Sequence, residues 1–176
     1  MATYNGAEYI AEQLVSFEKQ LLLPDELIIS DDGSTDSTVD IIKAFADVAP
    51  FDVIVVFNKG RSGYASNFNN ALSKVTGDLI FLSDQDDVWF PDKIKKMVSL
   101  SVKEPAYYVY MNDALLTNQT LESSGLTKIN QIKNAGLSEE DFVMGCCCLI
   151  RRGFLNFALP IPDGIKSHDS WLVQIS

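Results

Sequence analysis

Two groups of aspartates are placed where the chain could hold a cation or a phosphate. Asp31 and Asp32 follow one short apolar run, and Asp84, Asp86 and Asp87 follow another. Crowded carboxylates repel one another unless a positive charge joins them. Carboxylate oxygens suit Mg²⁺ or Mn²⁺, and the Asp-x-Asp spacing of Asp84 and Asp86 lets two of them reach one ion. The alternative is an acidic loop that caps the next helix, but the second group has more carboxylates than capping needs.

The apolar periodicity places both groups at the ends of strands. Strand-type and helix-type patterns alternate, with short connections between them. This order predicts an α/β fold with a mostly parallel central sheet and helices on both faces. Ligands of such sheets bind beyond the carboxyl ends of the strands, so we expect both acidic groups to face one crevice. The predicted helices are 8–19, 37–47, 66–74 and 91–104, and the predicted strands are 27–30, 53–57, 79–83 and 107–111.

The last third of the chain has a weaker pattern. Residues 112–137 are polar and predict a long loop, and 142–150 predict an apolar strand. The consecutive cysteines 146–148 are poorly spaced for a disulfide or a CxxC metal site, so we interpret them as small buried residues of that strand. A helix begins near His168 and Asp169, and taken alone such a pair is typical of polar surface positions.

The composition excludes several classes of protein. The net charge is −10, and no basic stripe is available to neutralise nucleic-acid phosphates. An acidic protein that binds a phosphate compound needs positive charge from elsewhere, and a divalent cation is the simplest source. No apolar run approaches the ~20 residues that a membrane-spanning helix requires, and no leader is visible. We therefore expect a cytoplasmic location, with contact to a membrane surface left open.

Five segments, taken in this order and spacing, resemble the family-2 glycosyltransferases of the GT-A type. The Ser-Asp-Gln-Asp-Asp-Val-Trp sequence and the late His-Asp-Ser-Trp are most similar to the bacterial rhamnosyltransferase-like branch, which builds surface polysaccharides. The resemblance implies a GT-A, Rossmann-like nucleotide-binding fold and transfer of a sugar from a nucleoside-diphosphate sugar, UDP- or dTDP-linked. The segments are 1–6, 31–36, 77–89, 145–146 and 168–171.

The resemblance also implies roles on the donor side. Tyr4 and Asp32 would hold the nucleoside, with Asp32 accepting a hydrogen bond from the base, and Thr3 would line the same wall. Asp84 and Asp86 would form the Asp-x-Asp motif that contacts the nucleotide and binds Mg²⁺ or Mn²⁺. Asp86 would be the more direct metal ligand.

On the acceptor side, Asp169 would match the catalytic base of the family, and Gly145, Cys146 and Trp171 would lie near the acceptor. The acceptor would be a saccharide or a lipid-linked saccharide. Its hydroxyl is a poor nucleophile near neutral pH, so a carboxylate must take its proton as it attacks the anomeric carbon. A single displacement of this kind inverts the configuration of the sugar.

Two alternatives stay open at the level of sequence. Relative to the family, the chain starts near the end of the first strand and stops soon after Asp169. We therefore expect residues 1–176 to be a single catalytic domain that is incomplete at both ends. Such a domain could be a non-catalytic fragment that binds nucleotide sugar and metal. A receiver-like phospho-acceptor domain is less favoured, because no lysine follows a later strand where that fold needs one.

Overall fold

The structure is a computed structural model that describes residues 1–165 and 167–176. Strands and helices alternate through the first two thirds of the chain, as the periodicity predicts. Within the described residues, no helix is long and apolar enough to cross a bilayer. The elements are β1 (Ala2–Thr3), α1 (Ile10–Glu18), β2 (Glu26–Asp31), α2 (Thr38–Ala46), β3 (Asp52–Phe57), α3 (Tyr64–Leu72), β4 (Leu79–Phe81), α4 (Lys93–Lys103), β5 (Val109–Met111), β6 (Leu115–Thr117), β7 (Ser123–Thr127), α5 (Lys128–Asn134), β8 (Cys148–Arg151), α6 (Arg152–Ala158) and α7 (His168–Gln174).

The first sheet is fully parallel and has the order β1-β2-β3. Helices cover both of its faces. Leu27 and Ile29 of β2 pack in a core cluster with side chains of α1, α2 and α4, while Ser30 accepts a hydrogen bond from Asn70 of α3 on the opposite face. Because β1 and β2 run in the same direction, Thr3 lies beside Asp31 at the carboxyl edge of the sheet.

The second sheet has the order β4-β8-β5, and β8 is antiparallel to both neighbours. The prediction of a parallel sheet is thus confirmed for β1 to β3, whereas β8 reverses the direction locally. A mostly apolar cavity of about 380 Å³ lies between the two sheets and is lined by residues such as Leu27, Ile80, Leu72 and Ile94. None of the aspartates of the second group lines this cavity.

Two predictions for the last third of the chain need correction, and one element there was missed. Residues 112–137 are not a long loop, because β6, β7 and α5 lie there. The hairpin β6–β7 is mostly exposed and polar, so it lacks the apolar alternation that marks a strand. Residues 142–150 contain a 3₁₀ turn, Gly145–Cys147, before the short strand β8. Helix α6 was not predicted at all.

Gln85 joins the loops that follow β1 and β4. Its side-chain amide accepts from the backbone N–H of Tyr4 at 2.9 Å and donates to the Tyr4 carbonyl at 3.1 Å, as a neighbouring strand would. The amide passes directly over Gly6. A Cβ at that position would lie 2.3 Å from Gln85 Oε1, so only glycine leaves room for the contact. The pair of loops is therefore fixed by one side chain.

A double-mutant cycle tests this contact. We expect Gly6→Ala to displace the Gln85 amide and destabilise the fold by about 1–3 kcal/mol, because both hydrogen bonds to Tyr4 are lost. In a Gln85→Ala background the same Gly6 substitution should be nearly neutral, because the obstructing amide is already gone. Urea unfolding of the four proteins measures the coupling. Equal costs of Gly6→Ala in both backgrounds would contradict the proposed contact.

Candidate active site

A cleft of about 830 Å³ opens at the carboxyl edge of the parallel sheet. This volume is in the range of small-molecule sites. Five of the predicted site residues line it, from three separate parts of the chain. They are joined by residues that the sequence analysis did not select, from the loop before α3 and from α3 itself. The lining comprises Ala2, Thr3, Tyr4, Asp32, Gly33, Ser62, Gly63, Tyr64, Asn67, Phe68, Asp84, Gln85 and Asp86.

The two aspartates after β2 have different surroundings. Asp31 is buried, and its carboxylate accepts from the Thr3 hydroxyl at 2.9 Å and from the backbone N–H groups of Gly33 and Ser34. Asp32 lines the cleft and accepts from Asn58 Nδ2 at 2.7 Å and from the Gly63 N–H at 2.8 Å. Asp31 therefore shapes the turn, while Asp32 sits at the cleft and anchors the loop that precedes α3.

The carboxylates of the aspartates after β4 accept far fewer hydrogen bonds than those after β2. Burial first, and then the charges of Asp87, Asp86 and Asp169, raise the pKa of Asp84 to about 6. Burial also raises the pKa of Asp87, whose Oδ2 has no hydrogen-bond partner among the described residues. Oxygens of Asp84 and Asp87 and the sulfur of Cys146 lie within 4.8 Å of one another. Two carboxylates this close together fit a divalent cation, which prefers oxygen ligands. This group of three residues contains Asp87 in place of the predicted Asp86.

Asp169 is held by three donors at the start of α7. Its Oδ1 accepts from the Ser167 hydroxyl and from the Ser170 N–H, and its Oδ2 accepts from the Gly145 N–H at 2.9 Å. Partial burial favours a higher pKa for Asp169, but these hydrogen bonds outweigh it and lower the pKa. Asp169 does not line the cleft, yet its charge acts on Asp84. The carboxylate is therefore ionised, oriented and close to the acidic loop.

The pairing of His168 with Asp169 suggests a polar surface position, but His168 is buried next to this site. Only 5% of its surface is exposed, and its ring stacks on Phe68 with 3.7 Å between centroids. A Cβ on Gly145 would lie 2.9 Å from His168 Nε2, so glycine permits the close approach of this turn. Burial lowers the pKa of His168 to about 4, against the opposing charge of Asp169. No local signal in the sequence indicates this packing.

Of the predicted acceptor-side residues, Gly145 and Cys146 are buried and Trp171 is half-buried. Gly145 and Cys146 belong to the 3₁₀ turn, and all three cysteines are buried and free. Of these, only Cys148 lies on a strand. Trp171 packs against the core and donates from Nε1 to the Ala158 carbonyl, so it fastens α7 to α6. Whether these residues contact an acceptor stays a prediction.

The sequence model described as "Glycosyl transferase family 2" matches residues 1–157 of the chain. The chain belongs to glycosyltransferase family 2. This confirms the family resemblance that the five segments carry. It also covers the strands and loops that form the cleft.

Named relatives agree with this membership. The family-2 chain is 39% identical over 106 residues to the dTDP-rhamnosyl transferase RfbG of Shigella flexneri. It is 27% identical over 142 residues to the UDP-Glc:alpha-D-GlcNAc-diphosphoundecaprenol beta-1,3-glucosyltransferase WfgD of Escherichia coli. These alignments cover 58% and 78% of the chain but only 37% and 55% of the two relatives.

A solved structure shows the same fold. The mannosyltransferase PcManGT from Pyrobaculum calidifontis, in complex with GDP-Man and Mn²⁺, superposes with a TM-score of 0.75 at 22% sequence identity. The superposition covers 96% of this chain and 48% of that one. The fold of the family-2 chain is therefore the GT-A fold predicted from the sequence.

The burial of His168 predicts a measurable dependence of stability on pH. A folded-state pKa of about 4, against the ordinary value of 6.5, means that the unfolded chain binds a proton that the folded chain excludes. This contribution to stability is present above pH 6.5 and is lost as the pH falls towards 4. Its loss amounts to about 2 kcal/mol at pH 5. We expect His168→Leu to remove this component from the free energy of unfolding.

Urea unfolding between pH 7.5 and 4.5 measures both proteins. The parent chain should lose more stability than the His168→Leu variant over this interval, whatever their difference at pH 7.5. Parallel curves would show that His168 does not titrate on unfolding.

Proposed function

We propose that the chain transfers a sugar from a nucleoside-diphosphate sugar to an acceptor hydroxyl, with inversion and with a divalent cation. The observation that carries the proposal is the convergence of Asp32, Asp84 and Asp86 on one cleft, with Asp169 close to Asp84. Neither the cofactor nor the stereochemical course follows from family membership alone. Residues 1–176 would act as one catalytic domain or as part of one.

On the donor side, Tyr4 and Asp32 would hold the nucleoside at one end of the cleft. Tyr4 is 55% exposed and lines this cleft, while Thr3 is buried and its hydroxyl donates to Asp31. Each oxygen of Asp32 already accepts one hydrogen bond, from Asn58 or Gly63, and retains a lone pair for the base. The same carboxylate would therefore support the loop and bind the nucleoside.

Asp84 and Asp86 would hold Mg²⁺ or Mn²⁺ in the same cleft. Asp86 is exposed there, and no donor among the described residues hydrogen-bonds to its carboxylate. When bound, the cation would neutralise the charge that develops on the departing diphosphate. Asp87, and not Asp86, has an oxygen within 4.8 Å of both Asp84 and Cys146, so Asp86 and Asp87 are alternative ligands of the cation.

Asp169 would act as the base of a single displacement. As the acceptor oxygen forms its bond to the anomeric carbon, its proton passes to the Asp169 carboxylate. The bond from the anomeric carbon to the diphosphate breaks at the same time, and its electron pair leaves with the diphosphate. The lowered pKa keeps Asp169 ionised at neutral pH, so its role is to accept this proton within a geometry that Gly145, Ser167 and Ser170 fix.

The relatives suggest which donors and acceptors to test. The names of RfbG and WfgD give a dTDP-linked rhamnose and a UDP-linked glucose as donors, and that of WfgD gives a diphosphoundecaprenol-linked acceptor. We propose the same classes here: a UDP- or dTDP-linked donor, and a saccharide or lipid-linked saccharide acceptor. These classes support a proposed role in bacterial surface polysaccharide synthesis on the cytoplasmic side, where contact with a membrane surface stays open.

Binding of donor and metal should be coupled. We expect UDP or dTDP with Mn²⁺ to raise the melting temperature more than either alone, by an amount corresponding to about 2.7 kcal/mol at a ligand concentration of 100 times Kd. Asp86→Asn should remove the metal-dependent part of the shift, and the exposed control Asp47→Asn should not. If Asp87→Asn removes it while Asp86→Asn does not, the metal lies on Asp84, Asp87 and Cys146 instead. No shift with any nucleotide–metal pair would contradict the proposed function.

The role of Asp169 is tested by turnover. In an assay with UDP-glucose, UDP-galactose, UDP-N-acetylglucosamine and dTDP-rhamnose, we expect Asp169→Asn to lower kcat by about 100-fold or more. Nucleotide affinity should stay within about threefold of the parent, because Asp169 lies outside the cleft lining. An unchanged rate would show that Asp169 is not the base. Coupled binding without turnover on any donor would support the alternative, a non-catalytic nucleotide-sugar and metal-binding fragment.

A further inference from the structure

Lys93 is a half-buried lysine that follows the acidic loop in the chain. It is the first residue of α4, and its ammonium donates to the Cys146 carbonyl at 2.5 Å. The same ammonium stands 3.9 Å from the centroid of the Trp89 ring. Burial lowers the pKa of Lys93, which reflects the cost of removing an ammonium from water. Lysines are rarely buried unless their charge is compensated.

The Cys146 carbonyl and the Trp89 ring supply that compensation. An oxygen of Asp87 and the sulfur of Cys146 lie within 4.8 Å of each other, and the charge of Asp87 opposes the lowering of the Lys93 pKa. Trp89 is itself buried and packs edge-on against Phe17 at 4.8 Å between centroids. Lys93 therefore lies between the ring of Trp89, two residues beyond the loop of residues 84–87, and the turn Gly145–Cys147.

The turn that Lys93 holds is also the turn that holds Asp169. Cys146 accepts from Lys93, and the adjacent Gly145 donates to Asp169 Oδ2 at 2.9 Å. These two contacts lie on neighbouring residues of one short 3₁₀ turn. A series of contacts therefore runs from Trp89, next to the acidic loop, through Lys93 and the turn, to Asp169.

We propose that Lys93 is a positioning residue, which fixes the distance between the acidic loop at residues 84–87 and the carboxylate of Asp169. This inference rests on the proposed function, in which the loop holds the diphosphate end of the donor and Asp169 takes the acceptor proton. Lys93 itself would touch neither substrate. Its loss should impair transfer more than donor binding, because the nucleoside contacts of Tyr4 and Asp32 lie outside the loop that it positions.

Amide hydrogen exchange tests the path without relying on turnover. In Lys93→Met, which keeps an unbranched apolar stem over Trp89, we expect the amides of residues 84–87 and 145–147 and that of Ser170 to exchange at least about tenfold faster than in the parent. The matched control is Lys95→Met, because Lys95 is exposed on the same helix. Unchanged exchange in Lys93→Met would overturn the proposal, as would faster exchange spread over the whole chain.

Turnover then separates positioning from general support. With an active donor, we expect Lys93→Met to lower kcat by about tenfold to a hundredfold while the Kd of the UDP–Mn²⁺ pair changes less than threefold. Equal losses in binding and turnover would contradict a positioning role. If the parent chain shows no turnover, the catalytic part of the proposed function is wrong. The amide exchange experiment then tests by itself whether Lys93 positions the two loops.

A second variant covers the case in which Lys93→Met does not fold. Lys93→Arg keeps the positive charge and hydrogen-bond donors but carries them on a longer, planar group. It should fold, retain UDP–Mn²⁺ binding and lose turnover, because the turn is displaced. Parent-like turnover in Lys93→Arg would show that the distance which Lys93 sets is unimportant.

Discussion

The cleft depends on how each of its crowded carboxylates is compensated. Asp31 is saturated by hydroxyl and backbone donors, Asp32 by Asn58 and Gly63, and Asp169 by Ser167, Ser170 and Gly145. The described residues offer Asp84 and Asp86 no comparable donors, and burial together with neighbouring negative charge raises the pKa of Asp84 to about 6. A protein of net charge −10 thus concentrates its least compensated charge where the diphosphate of a donor would lie.

This difference in hydrogen bonding explains why aspartates of the same site can have different roles. Where donors surround a carboxylate, its charge is fixed in place and its geometry is rigid. Where donors are missing, its charge is available to a cation. In the proposed reaction the fixed carboxylate, Asp169, takes a proton, and the uncompensated pair binds metal. The contrast lies in the surroundings of the side chains and not in their chemistry.

The two sheets supply the parts of the site by different routes. The parallel sheet places Thr3 and Asp32 at one edge through the common direction of β1 and β2. The second sheet, in which β8 is antiparallel, delivers the turn Gly145–Cys147 directly before that strand. Gln85 and Lys93 then connect these parts, the first to the loop after β1 and the second to the turn. The family match and the GT-A fold cover most of the chain, including both sheets.

The sequence by itself determined the alternation of strands and helices, the aspartates at two strand ends and the family. These are local properties, because apolar periodicity and short motifs depend on neighbouring residues. The prediction of a loop over 112–137 was wrong, because the exposed hairpin β6–β7 has no apolar alternation to mark its strands.

Only the tertiary structure decided that Asp87 lies with Asp84 and Cys146, that His168 is buried, and that Lys93 reaches Cys146. The physical reason is distance along the chain. Lys93 and Cys146 are 53 residues apart, and Gly145 and Asp169 are 24 apart. Contacts of this kind are set by how whole elements pack, and no local pattern encodes them.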